Sequence, residues 1–429
     1  MDLPPARAVP NDRRRRAGVV AALGDSVLCH VFLEENGSVR MAKVKLGNAG
    51  VYFPPADNVL TGAQMADATG IDFSIFFDQL NLTIPRSMWV PELVKAAANF
   101  DIDCWMDPWV LAGSAAVVTE KVQLSCVSDA LRRRPANLAQ LALSVDHMSK
   151  GRFMLCMGAG ETKQFRPYGL ERRKPFTHLE ESIKIIKKLW ASHDPVSYDG
   201  PIWKLEDAIL SLNPYNVGQP PPIVVLGGPG RSIEIAATHA DGWASYFPAC
   251  GDAEWFAGRR QELREFAERA GRDPDAQILM GMFLCVMEET DAAAEALCDN
   301  LALRWDAAVM MPSGASWHQW NPDNPPHPFG DEFHYARDLI PMEWSREDAV
   351  RIAQSVPPEI VAQSKFTGSP KTIANMIAPY IDAGMTHVLV ANYGQLVTTG
   401  DFSDAVANVN LLAETMQSLR DHVGSGLAV

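Results

Sequence analysis

The chain has 429 residues, and its 38 basic and 52 acidic side chains give a net charge of −14 at pH 7. Hydrophobic residues make up 47% of the chain and charged residues 21%, which is typical of a soluble globular protein. The negative charge argues against a nucleic-acid partner, and no apolar run approaches the roughly 20 residues of a membrane-spanning helix, so we expect a cytoplasmic protein without a membrane span.

Residues 1–40 are predicted to be an N-terminal extension that lies outside the main fold. Four consecutive arginines, Arg13–Arg16, precede a short apolar run, an order that resembles the start of a secretory signal. The acidic residues Asp25, Glu34 and Glu35 and the shortness of the apolar run argue against export. We expect a disordered leader or a misassigned start, followed by one folded domain over residues 41–429.

From Met41 onward, predicted strands alternate with predicted helices. The strands are Lys45–Phe53, Asp72–Phe77, Val122–Val127, Arg152–Met157, Pro222–Leu226, Gly242–Tyr246, Ile278–Val286 and His387–Ala391. The helices are Leu60–Thr69, Pro91–Asn99, Val110–Val118, Pro135–Ser149, Thr177–Ser192, Ser232–Thr238, Asp252–Ala270, Asp291–Leu303 and Asp404–His422. Two buried strands that flank one helix pair in parallel through a right-handed crossover. The alternation predicts an α/β fold, a TIM (β/α)8 barrel, with an open doubly wound sheet as the alternative.

Residues from about 304 to 365 interrupt the alternation with two tryptophans, Trp317 and Trp320, and several prolines. Loops of this length in a barrel are typically lids or substrate walls. We expect an insertion over the C-terminal rim, where Trp89, Trp317 and Trp320 would form an apolar wall for the substrate.

Polar and small residues end three of the predicted strands. They are Asp78 and Gln79 after one strand, Ser125, Cys126 and Ser128 in the next, and Gly158, Gly160 and Glu161 in the third. The carboxyl ends of barrel strands share one rim, where ligands bind. Carboxylates brought close together there can shift each other's pKa and act as acid and base. The alternative for each acid is a helix N-cap or a solvent-facing loop position.

Two further segments could hold an anion. Gly227-Gly228-Pro229-Gly230 precedes a predicted helix whose N-terminus favours negative charge, although a tight turn explains the glycines equally well. Arg132–Arg134 could bind an anion, but a solvent-facing helix entrance is the simpler interpretation. Lys163 stands where the third glycine of a dinucleotide fingerprint would follow Gly158 and Gly160, so the phosphate of a flavin-like cofactor fits better. No histidine or cysteine spacing predicts a metal site.

A series of motifs resembles the bacterial luciferase-like family. In chain order they are FDQLN at 77–81, PRS at 85–87, DPW at 107–109, VQLSCVSDALRRRPA from Val122, FMLCMGAGE at 153–161, PYG at 167–169 and VLGGPG at 225–230. Within that family the chain is most similar to the coenzyme F420-dependent branch, particularly its phthiodiolone dimycocerosate ketoreductases. The resemblance extends from Met41 to the C-terminus.

The resemblance implies a barrel that holds a deazaflavin, coenzyme F420, with FMN as the alternative. It implies hydride transfer to or from a small apolar carbonyl or alcohol substrate, and a homodimer. An FMN-dependent monooxygenase is the alternative activity. A non-prolyl cis peptide bond is implied at Ser125–Cys126, against the cofactor ring. The implied cofactor contacts are Asp78, Gly160, Glu161, Leu226, Gly227 and Gly228, and we add Ser128 and Gly158 as neighbours on the same strands.

One position departs from the family pattern. Several relatives have Asp-His where this chain has Asp78-Gln79, and their histidine is the favoured proton donor or acceptor. Glutamine does not titrate near neutral pH. Either Glu161 or another group carries the proton, or Gln79 only orients the carbonyl, or the reaction differs. A barrel that binds a flavin without catalysis is a further alternative.

Overall fold

The computed structural model describes residues 32–33, 39–40, 44–311, 317–318, 321–400 and 402–425. The chain forms two compact units, residues 1–43 and residues 44–429. Within the first unit, Phe32–Leu33 and Val39–Arg40 form an antiparallel strand pair. The expectations for Arg13–Arg16 and for Trp320 lie outside the described residues.

Eight parallel strands close into a barrel in the second unit. They are β1 Lys45–Ala49, β2 Phe73–Phe77, β3 Gln123–Asp129, β4 Phe153–Gly158, β5 Ile223–Leu226, β6 Gly242–Phe247, β7 Ile278–Met287 and β8 His387–Asn392. Each strand pairs with the next, and β8 pairs with β1 to close the ring. The TIM-barrel prediction is confirmed, and the open sheet is wrong.

Helices surround the barrel and fill the long connection after β7. They are α1 Ala56–Ala68, α2 Pro108–Val118, α3 Pro135–Met148, α4 Pro175–Trp190, α5 Arg231–His239, α6 Ala253–Arg269, α7 Asp291–Leu297, α8 Leu301–Met310, α9 Tyr335–Asp338, α10 Arg346–Gln354, α11 Pro358–Ser364, α12 Pro370–Asp382, α13 Gly394–Thr398 and α14 Phe402–Ser425. A hairpin, Val196–Asp199 with Lys204–Ala208, follows α4, and a short strand, Phe366–Gly368, pairs with the end of β7. Over the described residues, no helix combines the length and the apolar character needed to cross a membrane.

The strands alternate between two cores because successive side chains point to opposite faces. Phe73, Ile75, Met154, Cys156, Val224, Ala244, Met280, Met282 and Leu389 fill the barrel interior. Their neighbours along each strand pack outward against the surrounding helices. A separate core joins helices α8, α10 and α11 to the loop after β2, through residues such as Ile84 and Trp305. This packing places the connection after β7 over the C-terminal rim.

Two helix predictions need correction. The predicted helix Pro91–Asn99 is only a 3-10 turn, Lys95–Ala98. The predicted helix Asp291–Leu303 is two helices, because Asn300 begins α8 and its side chain accepts hydrogen bonds from the backbone of Ala302 and Leu303. Helix α12, which has a buried apolar face, is absent from the predicted helices.

The buried imidazole of His387, at the start of β8, should make the stability of the fold depend on pH. Burial lowers the pKa of its imidazole to about 3, and the positive charge of Lys45 adds to this effect. The unfolded chain binds a proton as the pH falls below about 6.5, whereas the folded chain keeps the ring neutral down to about 3. The free energy of unfolding should therefore fall across that window. Between pH 7 and pH 5 the wild type should lose ~2 kcal/mol more than His387→Gln in urea titrations; parallel pH profiles would contradict this assignment.

Candidate active site at the barrel mouth

A cavity of about 630 Å³ opens at the C-terminal rim. Its polar lining at the rim includes Gln79, Glu161 and Lys163. Its aromatic lining includes Tyr52, Trp105, Tyr246, Tyr335 and Tyr393. A mostly apolar cavity of this size, with a few convergent polar groups, is typical of small-molecule sites. The cavity therefore lies where the barrel predicts its active site.

Asp78 ends β2 as the centre of a cluster of ion pairs. Its carboxylate contacts the guanidinium groups of Arg132 and Arg133, the latter through Nε to Oδ2 at 2.5 Å. The Ser128 hydroxyl donates to the same Oδ2 at 3.0 Å. Burial alone would lower the pKa of Arg133, but its bonds to Asp78 and Asp107 raise that pKa above its ordinary value. Both oxygens of Asp78 are engaged, so we assign it a positioning role.

The same cluster corrects the interpretation of Arg132–Arg134. Only 13% of the Arg132 side chain and 22% of the Arg133 side chain are exposed, so these two are not solvent-facing. They bind the protein's own carboxylates, including Asp129 and Asp107, while Arg134 is exposed. A second pocket of about 300 Å³ lies against this cluster. Arg132 and Arg133 therefore organise the rim, and Arg134 does not take part.

Ser125 and Cys126 lie deeper in the barrel than the resemblance implied. Ser125 points into the interior, where its hydroxyl donates to the Cys156 thiol at 3.3 Å. Cys126 faces outward and contacts the carbonyl oxygen of Pro108. The cis peptide bonds of the described residues are Pro54–Pro55 and Phe247–Pro248, so the expected cis bond at Ser125–Cys126 is wrong.

The trans geometry at Ser125–Cys126 follows from the pairing of β3. Both residues pair with β2 on one side, at Ile75 and Phe76, and with β4 on the other side. A strand paired on both sides keeps its peptide bonds in the extended trans form. Neither residue lines the cavity at the mouth.

The glycines predicted to contact the cofactor form an arc across the ends of β4 and β5, which are neighbouring strands. Gly158 at the end of β4 pairs with Leu226 at the end of β5. At Gly227 a Cβ atom would clash with the side chain of Ser232, while at Gly228 it would meet no atom within 4 Å. None of these four positions lines the described cavity. Their role as cofactor contacts therefore stays a prediction.

Gly160 is the glycine with the strictest backbone requirement in this arc. Its φ is +72°, and a Cβ atom there would clash with the ring of Phe165. Gly160→Ala should therefore destabilise the fold by ~1–3 kcal/mol. Gly169→Ala is the matched control, since Gly169 has a φ of +75° but open space around it. Urea unfolding should show a clearly larger loss for Gly160→Ala, and equal losses would contradict the steric argument.

Lys163 is the site residue that the sequence reasoning missed. Its Nζ donates to Gln79 Oε1 at 2.5 Å and to the carbonyl oxygen of Asn81 at 2.9 Å, and lies 2.8 Å from Glu161 Oε2. The network thus joins the loops after β2 and β4. The sequence did contain a signal, because Lys163 closely follows the predicted rim residues Gly160 and Glu161. It was used only to exclude a dinucleotide fingerprint, which would need glycine at that position.

The lysine is buried, and its charge is only partly compensated. Burial lowers the pKa of Lys163, while the nearby carboxylate of Glu161 opposes that effect. Glu161 Oε2 has no hydrogen-bond partner although it lies within ion-pair distance of Nζ. Glu161 and Lys163 therefore form an ion pair inside the protein. Such a pair, beside a cavity, is a common arrangement in active sites.

Three tyrosines face the same cavity with their phenol groups protonated. Burial, together with the charge of Glu161, raises the pKa values of Tyr246 and Tyr335. Burial and the charge of Asp306 raise the pKa of Tyr393. These phenols can donate hydrogen bonds to a bound oxygen and remain neutral across the physiological pH range.

The apolar wall is built by other residues than expected. Trp317 is fully buried in the core after β7, where its Nε1 donates to the carbonyl oxygen of Pro325. Trp89 packs against that same core. Instead, the cavity extends sideways between α1 and α14, along Ala63, Ala66, Ala405, Val409, Leu412 and Met416. The apolar part of the site is therefore a branch between two helices.

Together, the closed parallel barrel and the polar cluster at its C-terminal rim define a barrel enzyme. The family model for luciferase-like monooxygenases matches residues 32–387. The chain belongs to this family, whose named relatives are oxidoreductases and monooxygenases.

Relatives and solved structures support the assignment. The chain is 31% identical over 339 residues to the phthiodiolone/phenolphthiodiolone dimycocerosates ketoreductase of Mycobacterium kansasii, covering 77% of this chain and 89% of that protein. An F420-dependent secondary alcohol dehydrogenase in complex with an F420-acetone adduct has a TM-score of 0.63 at 17% identity, covering 88% of this chain and 99% of the other. The oxygenating constituent of the 3,6-diketocamphane monooxygenase of Pseudomonas putida, in complex with FMN, has a TM-score of 0.56 at 18% identity, covering 88% and 98%.

Proposed function

We propose that the protein is an F420-dependent oxidoreductase that interconverts a carbonyl compound and an alcohol. The observation that carries the proposal is the convergence of Gln79, Glu161 and Lys163 on one rim cavity. A relative that is a ketoreductase and a structural neighbour that binds an F420-acetone adduct support it.

The residues at the mouth fit a flat cofactor ring. The cavity volume is within the range of small-molecule sites. Glu161 Oε2 is buried without a hydrogen-bond partner, and the backbone at Gly228 has open space beside it. Glu161 would hold the cofactor in the cavity, and Leu226 and Gly228, which do not line it, are the predicted cofactor contacts beyond it. When bound, a reduced deazaflavin supplies the hydride.

The chain's own groups would orient the substrate oxygen and exclude water. The phenols of Tyr246, Tyr335 and Tyr393 line the cavity and are available as donors. Gln79 accepts from Lys163 and holds that side chain toward the loop after β2. The connection after β7 covers the rim and contributes Tyr335 and Met310 to the cavity. An enclosed apolar mouth strengthens the polar contacts made inside it.

A side-by-side titration of the purified protein with F420 and FMN tests the cofactor. We expect saturable quenching of F420 fluorescence, and turnover of reduced F420 with a panel of ketones. The second candidate is an FMN-dependent monooxygenase, favoured by the FMN-bound structural neighbour. Saturable FMN binding with oxygen uptake, in the absence of F420 binding, would replace the first proposal by the second.

The side branch predicts a substrate with an apolar tail. Ala413 is exposed on α14 and lines the branch, whereas Ala407 is exposed on the same helix away from it. Ala413→Phe should raise the KM for ketones with a long alkyl chain roughly tenfold and leave short ketones unaffected. Ala407→Phe is the matched control. An equal loss for short and long ketones would show that the branch does not hold the substrate.

We also propose a cytoplasmic homodimer. Val110 and Val117 are 61% and 65% exposed. They lie seven residues apart, on one face of α2. Exposed apolar residues stacked on a helix favour contact with a second copy of the chain. Light scattering should give twice the chain mass, and a monomer at micromolar concentration would refute the dimer.

A further inference from the structure

We propose that Lys163 is the catalytic proton donor for the carbonyl oxygen. The inference rests on the proposed function and names the group that completes it. No family motif considered above includes Lys163, and Gln79 cannot move a proton itself.

The geometry leaves one N–H bond of Lys163 that a substrate oxygen can share with Glu161. A lysine ammonium has three donors. Two of them are used by Gln79 Oε1 at 2.5 Å and the carbonyl oxygen of Asn81 at 2.9 Å. The third donor is left for the ion pair with Glu161 Oε2, 2.8 Å from Nζ. Since Lys163 lines the cavity, a substrate oxygen that enters there can accept this third proton.

The neighbouring groups are less suited to the role. Both oxygens of Asp78 are engaged by arginines and Ser128. Tyr246 and Tyr335 hold their protons more tightly than ordinary phenols, because burial and Glu161 raise their pKa values. Burial lowers the pKa of Lys163, which makes its ammonium a stronger acid than an exposed lysine. Glu161 supplies the negative charge that keeps an ammonium stable in this buried position.

The step balances as a ketone reduction. A bound reduced deazaflavin would supply the hydride, with its two electrons, and the carbonyl carbon that accepts it loses its π bond to oxygen. The oxygen then takes a proton from Lys163 Nζ, which becomes a neutral amine, and the oxidised deazaflavin remains. Lys163 regains its proton from solvent before the next turnover. In alcohol oxidation the neutral amine accepts the same proton.

The first experiment measures the amine without any cofactor. The full-length protein is labelled with [ε-13C]lysine, and the Lys163 signal is identified by its absence in Lys163→Met. We expect its NMR titration midpoint below the ordinary value of lysine, and a change in its chemical shift when a ketone is added. An ordinary midpoint with no response to the ketone would overturn the proposal.

The second experiment replaces the amine of Lys163 by one with a lower pKa. Lys163→Cys is alkylated with bromoethylamine, which restores the chain length with a less basic amine. Lys163→Met should lower kcat roughly 10²–10⁴-fold, and alkylation should restore part of the rate. The decline of ketone reduction at high pH should then begin at a lower pH than in the wild type. Cys126, Cys156 and Cys285 are buried, and the alkylated wild type controls for reaction at other cysteines.

The variant Gln164→Met distinguishes a catalytic role of Lys163 from a purely structural one. Gln164 Nε2 donates to Gln79 and to the carbonyl oxygen of Asn81, the same acceptors that Lys163 uses, but it cannot titrate. Its replacement should lower kcat far less than Lys163→Met. Equal losses, or a pH profile unmoved by alkylation, would overturn the proposal for Lys163 alone. Failure of the wild type to bind F420 would overturn the proposed function and this inference together.

Discussion

Lys365→Met should destabilise the protein by ~3–5 kcal/mol, because it leaves the buried carboxylate of Asp306 without its counter-charge. Both side chains are fully buried, with Lys365 Nζ 2.7 Å from Asp306 Oδ2. The Thr83 hydroxyl donates to the other oxygen of Asp306 at 2.6 Å. The ion pair therefore ties α8 to the end of α11, and the Thr83 hydrogen bond ties α8 to the loop after β2. Urea unfolding followed by tryptophan fluorescence measures the loss.

Two controls sharpen this prediction. The double variant Lys365→Met, Asp306→Leu removes both charges and should recover most of the stability, since replacing a buried pair by apolar groups is often neutral. Lys204→Met breaks an ion pair with Asp199 whose partners are 75% and 82% exposed, and it should change the midpoint little. A single variant as stable as the wild type would show that the pair does not hold the connection after β7 in place.

The barrel was predictable because its strands carry a strong local signal. Continuous apolar runs such as Ile278–Met287 are typical of strands buried on both faces, and their alternation with helices leaves few topologies. The connection after β7 was less predictable. Its helices are short, and they are held by contacts distant in sequence, such as Trp305 Nε1 to the carbonyl oxygen of Thr83. No local periodicity encodes such a contact.

The rim was predicted better than the roles of its residues. The ends of the predicted strands identify Asp78, Gln79 and Glu161 as rim residues. Only the structure shows that two arginines form ion pairs with Asp78. The cis bond carried over by resemblance was wrong, since β3 is paired on both sides there. Lys163 was missed because its burial depends on two loops that meet across the rim. Side-chain partners between loops are set by tertiary packing, which the sequence order does not display.

Asp78→Asn should cost ~3 kcal/mol and weaken cofactor binding at least tenfold. The variant keeps the shape of the side chain but removes the charge that two mostly buried guanidiniums, those of Arg132 and Arg133, share. Arg132 Nη2 also donates to the backbone oxygen of Asp78 at 2.9 Å, next to Gln79. Loss of the carboxylate should therefore displace Gln79 and the loop that holds Lys163.

Asp101→Asn is the matched control for Asp78→Asn, because it removes the same charge from an exposed pair. Asp101 and its partner Arg86 are 40% and 58% exposed, so solvent compensates for the loss. Urea unfolding and F420 titration of both variants give the comparison. If Asp78→Asn matched Asp101→Asn in both measurements, the arginine cluster would not organise the rim. A stability loss with unchanged F420 affinity would separate the cluster from the cofactor site.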